Sequence, residues 1–252
     1  EISLVRGNQS EIKAIYDALS PNNQADTSTT GKGVDGGQIE DSAVIAYRLA
    51  RLINCPVVAT GEEDYVSDGT RVFAVPHGHP IMTAVTGTGC LLGAVLAAFF
   101  SAYYPCKNRL SMGEFLAYAL AYYGLAGERA VQVSGVKPGS FSVAFMDSLY
   151  TLDDAVLMSE NRIRPIVVPD QLQVYFISGT QDVELNENRL LSIVEDACRG
   201  GVTCFQFREK GVGTLVGQQK LELAQQLKQI CAKYNVLYVI NDDVDLAVAV
   251  NA

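Results

Sequence analysis

From residue 172 onward the chain alternates short apolar runs with amphipathic stretches, a rhythm that leaves few folds open. Leu172 to Ile177 reads as a strand, and Leu185 to Arg199 as a helix with Leu190, Leu191, Val194, Ala197 and Cys198 on one side. Thr203 to Lys210 is a second strand, and Leu215 to Tyr234 a helix with Leu223, Leu227, Ile230 and Cys231 turned inward. Val236 to Ile240 is a third strand, after which another helix begins. Strands joined through helices by short loops lie parallel, because each helix carries the chain back to the end of the sheet where the previous strand began. The segment is therefore the opening of a parallel barrel or of an open doubly wound sheet, and the pattern alone does not separate the two.

The residues before it follow another rhythm. Ser10 to Leu19 and Asp41 to Ile53 have helical spacing of apolar residues, and Pro56 to Gly61 is a short buried strand ending in a small-residue turn. Asp64 to Ser67 and Arg71 to Pro76 are joined through Asp68-Gly69-Thr70, a hairpin signal. Long apolar helices follow over Cys90 to Tyr104, Met112 to Val133 and Phe141 to Leu157. A strand, a hairpin and then packed helices point to the distal half of an α/β domain rather than a bundle. Between the two rhythms, residues 159–171 carry charge and prolines without a period and read as a linker. The expected division is 1–158, linker 159–171, and 172–252.

A net charge of −9 with no basic stripe argues against nucleic-acid partners. Six cysteines fall singly inside apolar segments without CxxC spacing, which indicates neither zinc nor a disulfide framework and fits a reducing cytoplasm. No apolar stretch reaches the roughly 18 residues of a membrane span, so no membrane partner is expected. Both ends read as cut: residue 1 is Glu, Ile2 to Val5 resembles the end of a buried strand, and the last ten residues stop inside a helical pattern. The expectation is an internal piece of a longer protein.

Thr86-Gly87-Thr88-Gly89-Cys90 opens directly onto the apolar run 91–100. Glycine lets several N–H groups converge without a Cβ in the way, and a helix starting there adds unpaired amides and the positive end of its dipole. The combination makes a site for a phosphate or a phosphoryl group in transfer. At such a terminus the thiolate of Cys90 is favoured, which makes it a candidate base, although an isolated cysteine is more often inert packing. Phosphoryl transfer depends chiefly on positioning and electrostatics, so the amides of Gly87, Gly89 and Cys90 carry more of the expectation than the thiol. Arg6, at a strand end, can reach a nucleotide phosphate, and Glu11 can hold Mg²⁺ or serve as an ordinary first-turn acid. Thr60 and Gly61 end the next strand, where open α/β sheets place their ligands.

Further on, Phe205-Gln206-Phe207-Arg208-Glu209-Lys210 puts Gln206, Arg208 and Lys210 on one face of a strand and Glu209 on the other. Two cations on a buried face require an anion, unless the strand end simply emerges into solvent. Asn241-Asp242-Asp243 ends the next strand; Asn241 can hydrogen-bond a heterocycle and Asp242 can hold Mg²⁺ against a diphosphate, or the run can be a helix cap.

In order along the chain, RGNQSEI, KGVD (32–35), TGEEDYVSDG (60–69), MTAVTGTGC (82–90), AGE (126–128) and PGSF (138–141) resemble hydroxyethylthiazole kinase, a ribokinase-like family that makes thiazole phosphate for thiamine synthesis. The resemblance covers about residues 1–157. It implies ATP contacts from Arg6 and Thr60, a metal role for Glu11, thiazole contact at Gly87 and a place for Cys90 near the substrate hydroxyl. It also implies that the family's N-terminal half, with part of the site, is missing, and that the complete domain forms a homo-oligomer, a trimer with shared sites. YFISG (175–179), GGV (200–202), QFREK (206–210) and NDDVDLA (241–247) resemble thiamine-phosphate synthase, a TIM barrel, over its first three βα units. That likeness implies pyrimidine-diphosphate contacts from Gln206, Arg208, Lys210 and Asn241, and Mg²⁺ at Asp242.

Because the kinase product is the synthase's co-substrate, the two resemblances combine into a bifunctional, cytoplasmic thiamine-biosynthesis protein. The C-terminal part of a ribokinase-like domain is followed by the N-terminal part of a TIM barrel. Expected ligands are hydroxyethylthiazole, ATP, hydroxymethylpyrimidine diphosphate and Mg²⁺. Two alternatives stand beside this reading: a tautomerase-like, non-synthase barrel behind the kinase, and a structural fragment in which these 252 residues alone are inactive.

Overall fold

A computed structural model describes residues 2–20, 38–103 and 109–252; the KGVD stretch and Cys106 lie outside them. The chain divides into two compact units, Glu1–Ile166 and Val167–Ala252.

The first unit runs β1 (Val5–Asn8), α1 (Gln9–Leu19), α2 (Gln38–Ile53), β2 (Val57–Thr60), β3 (Asp64–Ser67), β4 (Val72–Val75), α3 (Thr88–Ala102), α4 (Met112–Ser134), α5 (Pro138–Thr151), α6 (Asp154–Glu160) and β5 (Arg164–Ile166). β1 and β2 pair in parallel, with Arg6 opposite Val58 and Asn8 opposite Thr60. From β2 to β5 the pairing is antiparallel, in the order β1-β2-β3-β4-β5. Every residue of β4 is buried, as a strand covered on both faces requires. Val58, Val66, Phe73 and Val75 pack against Leu96 of α3, Leu116 and Leu120 of α4, and Phe141 and Phe145 of α5. α2 covers β2 and β3.

The expected hairpin is held by one aspartate. Asp68 Oδ1 accepts from the N–H groups of Thr70 (3.0 Å) and Arg71 (2.8 Å), while Oδ2 accepts from Gly113 N–H (2.9 Å) at the start of α4. Gly69 takes φ 84°, a left-handed value that tight turns assign to glycine.

Three elements differ from the sequence expectation. Arg6 lies within β1 rather than after it, and the helix starts at Gln9. The helix expected over 141–157 is two, because Asp153 caps a new start by accepting from Val156 N–H at 2.8 Å. Residues 159–171 are not structureless: β5 pairs with β4 and joins the first unit. Arg162 reinforces the join. Its backbone N–H donates to His77 Nε2 (2.9 Å), which leaves His77 Nδ1–H to donate to Glu128 (3.2 Å), and its guanidinium pairs with Glu128 at 2.6 Å. Burial and the Arg162 charge hold His77 below its ordinary value, which favours this neutral tautomer.

The second unit runs β6 (Tyr175–Ser178), α7 (Glu187–Arg199), β7 (Cys204–Phe207), α8 (Gly217–Lys233), β8 (Leu237–Ile240) and α9 (Val244–Val250). The strands are parallel in the order β6-β7-β8. That sequential order excludes the flavodoxin-type arrangement, in which the first strand lies between the second and third. Phe205, Phe207 and Tyr238 pack with Leu190, Val194, Leu223 and Leu227 of the helices. Tyr175 and Ile177 point to the other face and stay half-exposed.

Close packing of α4 generates a test of the fold. A Cβ at Gly124 would fall 2.8 Å from the His77 carbonyl carbon and 2.9 Å from Gly78 N, both backbone atoms that cannot swing away, whereas a Cβ at Gly93 meets nothing within 4 Å. Gly124→Ala is expected to lower stability by about 2 kcal/mol through overpacking, despite its gain in helix propensity. Gly93→Ala should raise it by up to about 1 kcal/mol. Denaturant unfolding of the two variants beside the parent checks both signs.

Candidate functional sites

In the first unit the parallel pairing of β1 and β2 ends at Asn8 and Thr60, and α3 begins beside that end. Arg6 NH2 donates to Thr60 Oγ1 at 3.4 Å, and the same hydroxyl donates to Gly7 C=O at 3.2 Å. A Cβ on Gly89 would sit 3.4 Å from the Arg6 guanidinium, so α3 meets the arginine at a position with no side chain. Arg6 Nε is buried and has no hydrogen-bond partner among the described residues. Arg6, Thr60 and Gly89 are thus brought together.

Gly87 caps α3 with φ 100°, and a Cβ there would meet nothing within 4 Å; its requirement is conformational, and the space before it is open. Thr88 N–H turns back to Val85 C=O (3.4 Å), and the first full helical bond runs from Leu91 N–H to Gly87 C=O (2.8 Å). The amides of Gly89 and Cys90 precede that bond and have no backbone acceptor among the described residues. Tyr123 hydroxyl and Thr88 C=O are 2.5 Å apart, which fixes the start of α3 against α4. The Cys90 side chain is exposed. Glu11 is half committed: its Oε2 accepts from Asn8 N–H (2.7 Å) while Asn8 Oδ1 accepts from Glu11 N–H (2.8 Å), a reciprocal helix cap.

In the second unit the C-terminal ends of β6, β7 and β8 carry Ser178-Gly179-Thr180, Arg208-Glu209-Lys210 and Asn241-Asp242-Asp243. β7 ends at Phe207, with one further ladder bond from Arg208 N–H to Ser178 C=O (3.0 Å). The cations therefore do not sit on a buried strand face: Arg208 and Lys210 emerge into solvent while Glu209 is buried. Gln206 is half-buried on the face away from the helices. Lys210 pairs with Asp242, whose carboxyl is held below its ordinary value by that ammonium. Asp243 is occupied otherwise, capping α9 through Leu246 N–H (3.0 Å) and pairing with Lys220 (2.7 Å). Asn241 Nδ2 is buried without a hydrogen-bond partner among the described residues, beside Asp242 in sequence.

The described residues contain no cluster of three or more metal-ligating side chains. Mg²⁺ is commonly held by one or two carboxylates together with substrate phosphates; the remaining oxygen of Glu11 fits such a site in the first unit, and the exposed carboxylate of Asp242 fits a separate one in the second. No helix among the described residues is long and apolar enough to cross a membrane.

Residues 1–155 match the hydroxyethylthiazole kinase family. The chain belongs to that family. Its later part, residues 174–252, matches thiamine monophosphate synthase. The chain is 35% identical over 260 residues to the thiamine biosynthesis bifunctional protein ThiM/ThiE of Symbiobacterium thermophilum, a match that spans 100% of this chain and 49% of the relative. It is 43% identical over 157 residues to hydroxyethylthiazole kinase of Tolumonas auensis, covering 62% of this chain and 53% of that one. The solved structure of a hydroxyethylthiazole kinase protein from Pyrococcus horikoshii OT3 superposes with a TM-score of 0.53 and 30% identity, over 66% of this chain and 56% of that chain. The chain spans about half the length of the curated relatives it matches.

The kinase-family unit also holds a carboxylate that sequence reasoning passed over. Asp64, at the start of β3, accepts from Gly61 N–H at 2.9 Å. Burial pushes its carboxyl up to about 7, against the pull of that hydrogen bond and of the Arg6 charge. In the sequence it is one acid among Glu62, Glu63 and Asp64, and nothing in the string marks which one turns inward.

A carboxyl raised in the folded state stabilises the protein fully below the unfolded value of 3.8, and that stabilisation is lost as pH rises through about 7. Across this window the folded chain holds a proton the unfolded chain has released. Asp64→Asn, which keeps an acceptor for Gly61 N–H, is expected to remove this declining component. The difference between denaturant midpoints of parent and variant, followed from pH 4 to pH 8, measures it.

Proposed function

We propose that the first unit binds ATP and hydroxyethylthiazole and transfers the γ-phosphoryl group to the thiazole's hydroxyl. The second unit, on this reading, joins thiazole phosphate to hydroxymethylpyrimidine diphosphate, giving thiamine phosphate and diphosphate. The observation that carries the reading is Arg6: a buried guanidinium nitrogen without an acceptor, set against the free amides at the start of α3. A guanidinium nitrogen and backbone amides brought together in this way are suited to phosphate oxygens.

In the kinase step the alcohol oxygen attacks phosphorus and the bond to the ADP leaving oxygen breaks. Arg6 holds phosphate oxygens, Thr60 fixes the guanidinium by accepting from it, and the amides of Gly89 and Cys90 meet the charge spread over the equatorial oxygens. On this reading Gly87 leaves room for the thiazole, and the exposed Cys90 would take the alcohol's proton. Glu11 in this unit, and separately Asp242 in the second, would each hold Mg²⁺, which when bound neutralises phosphate charge.

In the synthase step the bond between the pyrimidine methylene carbon and diphosphate breaks and the thiazole nitrogen bonds to that carbon. Arg208 and Lys210 meet the charge left on diphosphate, while Gln206 and Asn241 hold the pyrimidine. Sequential strand order, helices on one face and a half-exposed opposite face support reading this unit as the first three βα units of a TIM barrel. The first unit is read as ribokinase-like, and the homo-oligomer of the family remains part of the proposal.

The intact gene product, given hydroxyethylthiazole, ATP, Mg²⁺ and the pyrimidine diphosphate, is expected to yield thiamine phosphate by mass spectrometry. Arg6→Ala should lower thiazole-phosphate formation about 100-fold and leave coupling of supplied thiazole phosphate intact. Arg208→Ala should do the reverse. Thiazole phosphate as the sole product would favour a non-synthase barrel, and no product from folded protein would end the enzymatic reading.

A further inference from the structure

Glu209 is 9% exposed, yet its two neighbours in sequence, Arg208 and Lys210, are both in solvent. A carboxylate withdrawn from water this far needs full hydrogen bonding. It has it, from outside its own strand. Oε2 accepts from Thr180 N–H (2.9 Å), and Oε1 accepts from the Thr180 hydroxyl and from Leu215 N–H (3.0 Å). Thr180, fully buried, belongs to the turn after β6, and Leu215 to the segment before α8.

The same turn grips the backbone of Arg208. Gln181 Nε2 donates to Arg208 C=O at 2.8 Å, and a Cβ on Gly179 would collide with that carbonyl. Beyond Arg208 N–H no ladder bond among the described residues holds the chain. In extended backbone, neighbouring side chains point to opposite sides, so anchoring Glu209 inward sends Arg208 and Lys210 outward together. Lys210 then reaches Asp242 at the end of β8.

We infer that Thr180 and Glu209 form a clamp that aims Arg208 and Lys210 at the diphosphate, making both positioning residues. The inference rests on the reading of the second unit as a pyrimidine-diphosphate site. Glutamine cannot replace the glutamate, since its amide N–H₂ would face either Thr180 N–H or Leu215 N–H, donor against donor.

The test uses the intact gene product, inorganic diphosphate with Mg²⁺ as the calorimetric probe, and kinetics with the pyrimidine diphosphate. Glu209→Gln and Thr180→Val should each weaken diphosphate binding and raise KM about tenfold or more, as loss of a supporting hydrogen bond does elsewhere. Thr180→Ser, which keeps the hydroxyl donor, should bind as the parent does. In a Glu209→Gln background the loss from Arg208→Ala should shrink, because the guanidinium is already misdirected. If Glu209→Gln does not fold, the Thr180→Val and Thr180→Ser pair decides. Parent-like binding by folded Thr180→Val, or independent multiplication of the Glu209 and Arg208 effects, would overturn the clamp. Failure of the unsubstituted protein to bind diphosphate or make thiamine phosphate would instead remove the site reading beneath it.

Discussion

The arrangement of the first unit depends on where one guanidinium is held. Arg6 is on a strand whose parallel partner ends in Thr60, and the helix that meets it does so through glycine. A larger residue at Gly89 would press on the arginine, and a residue restricted to negative φ at Gly87 would aim the amides elsewhere. Hydrogen bonding, helix start and sheet register all converge on the same few ångströms. The hairpin and helices behind them serve to keep α3 in place, through contacts such as Tyr123 to Thr88.

Both units use buried or half-buried carboxylates in a similar way. Asp68 ties a hairpin to α4, Glu128 joins His77 to Arg162, and Glu209 ties two loops together. Each accepts at least two hydrogen bonds, which is what makes its withdrawal from water tolerable. In each case the carboxylate fastens irregular backbone that no strand ladder reaches. Asp64 differs: it accepts from Gly61 N–H with the Arg6 charge nearby, yet burial dominates and its carboxyl is raised.

Much of the architecture was legible in the string because it rests on local periodicity. The strand and helix alternation after residue 172, the Asp68-Gly69-Thr70 turn and the glycine-rich start of α3 all appear where spacing placed them. The misses lie where a single side chain overrides the period. Asp153 splits a helix whose apolar spacing runs through it, and Arg162 with β5 converts an apparent linker into a sheet edge. The alternation of Gln206, Arg208 and Lys210 was readable, but their exposure was not, because strand length depends on how far the neighbours pair.

By itself the sequence determined the order of elements, the parallel rhythm of the second unit and the presence of two phosphate-suited motifs, since these follow from residue type and spacing along one chain. The tertiary structure alone decided that Arg6 faces Gly89, that the strands run in the order β6-β7-β8, and that Glu209 rather than its cationic neighbours turns inward. Those outcomes depend on hydrogen-bond partners far away in sequence, Thr180 as a donor to Glu209 and Thr60 as an acceptor for Arg6. Pairings of that kind carry no local period, and they are settled only when packing brings the two segments within hydrogen-bonding reach.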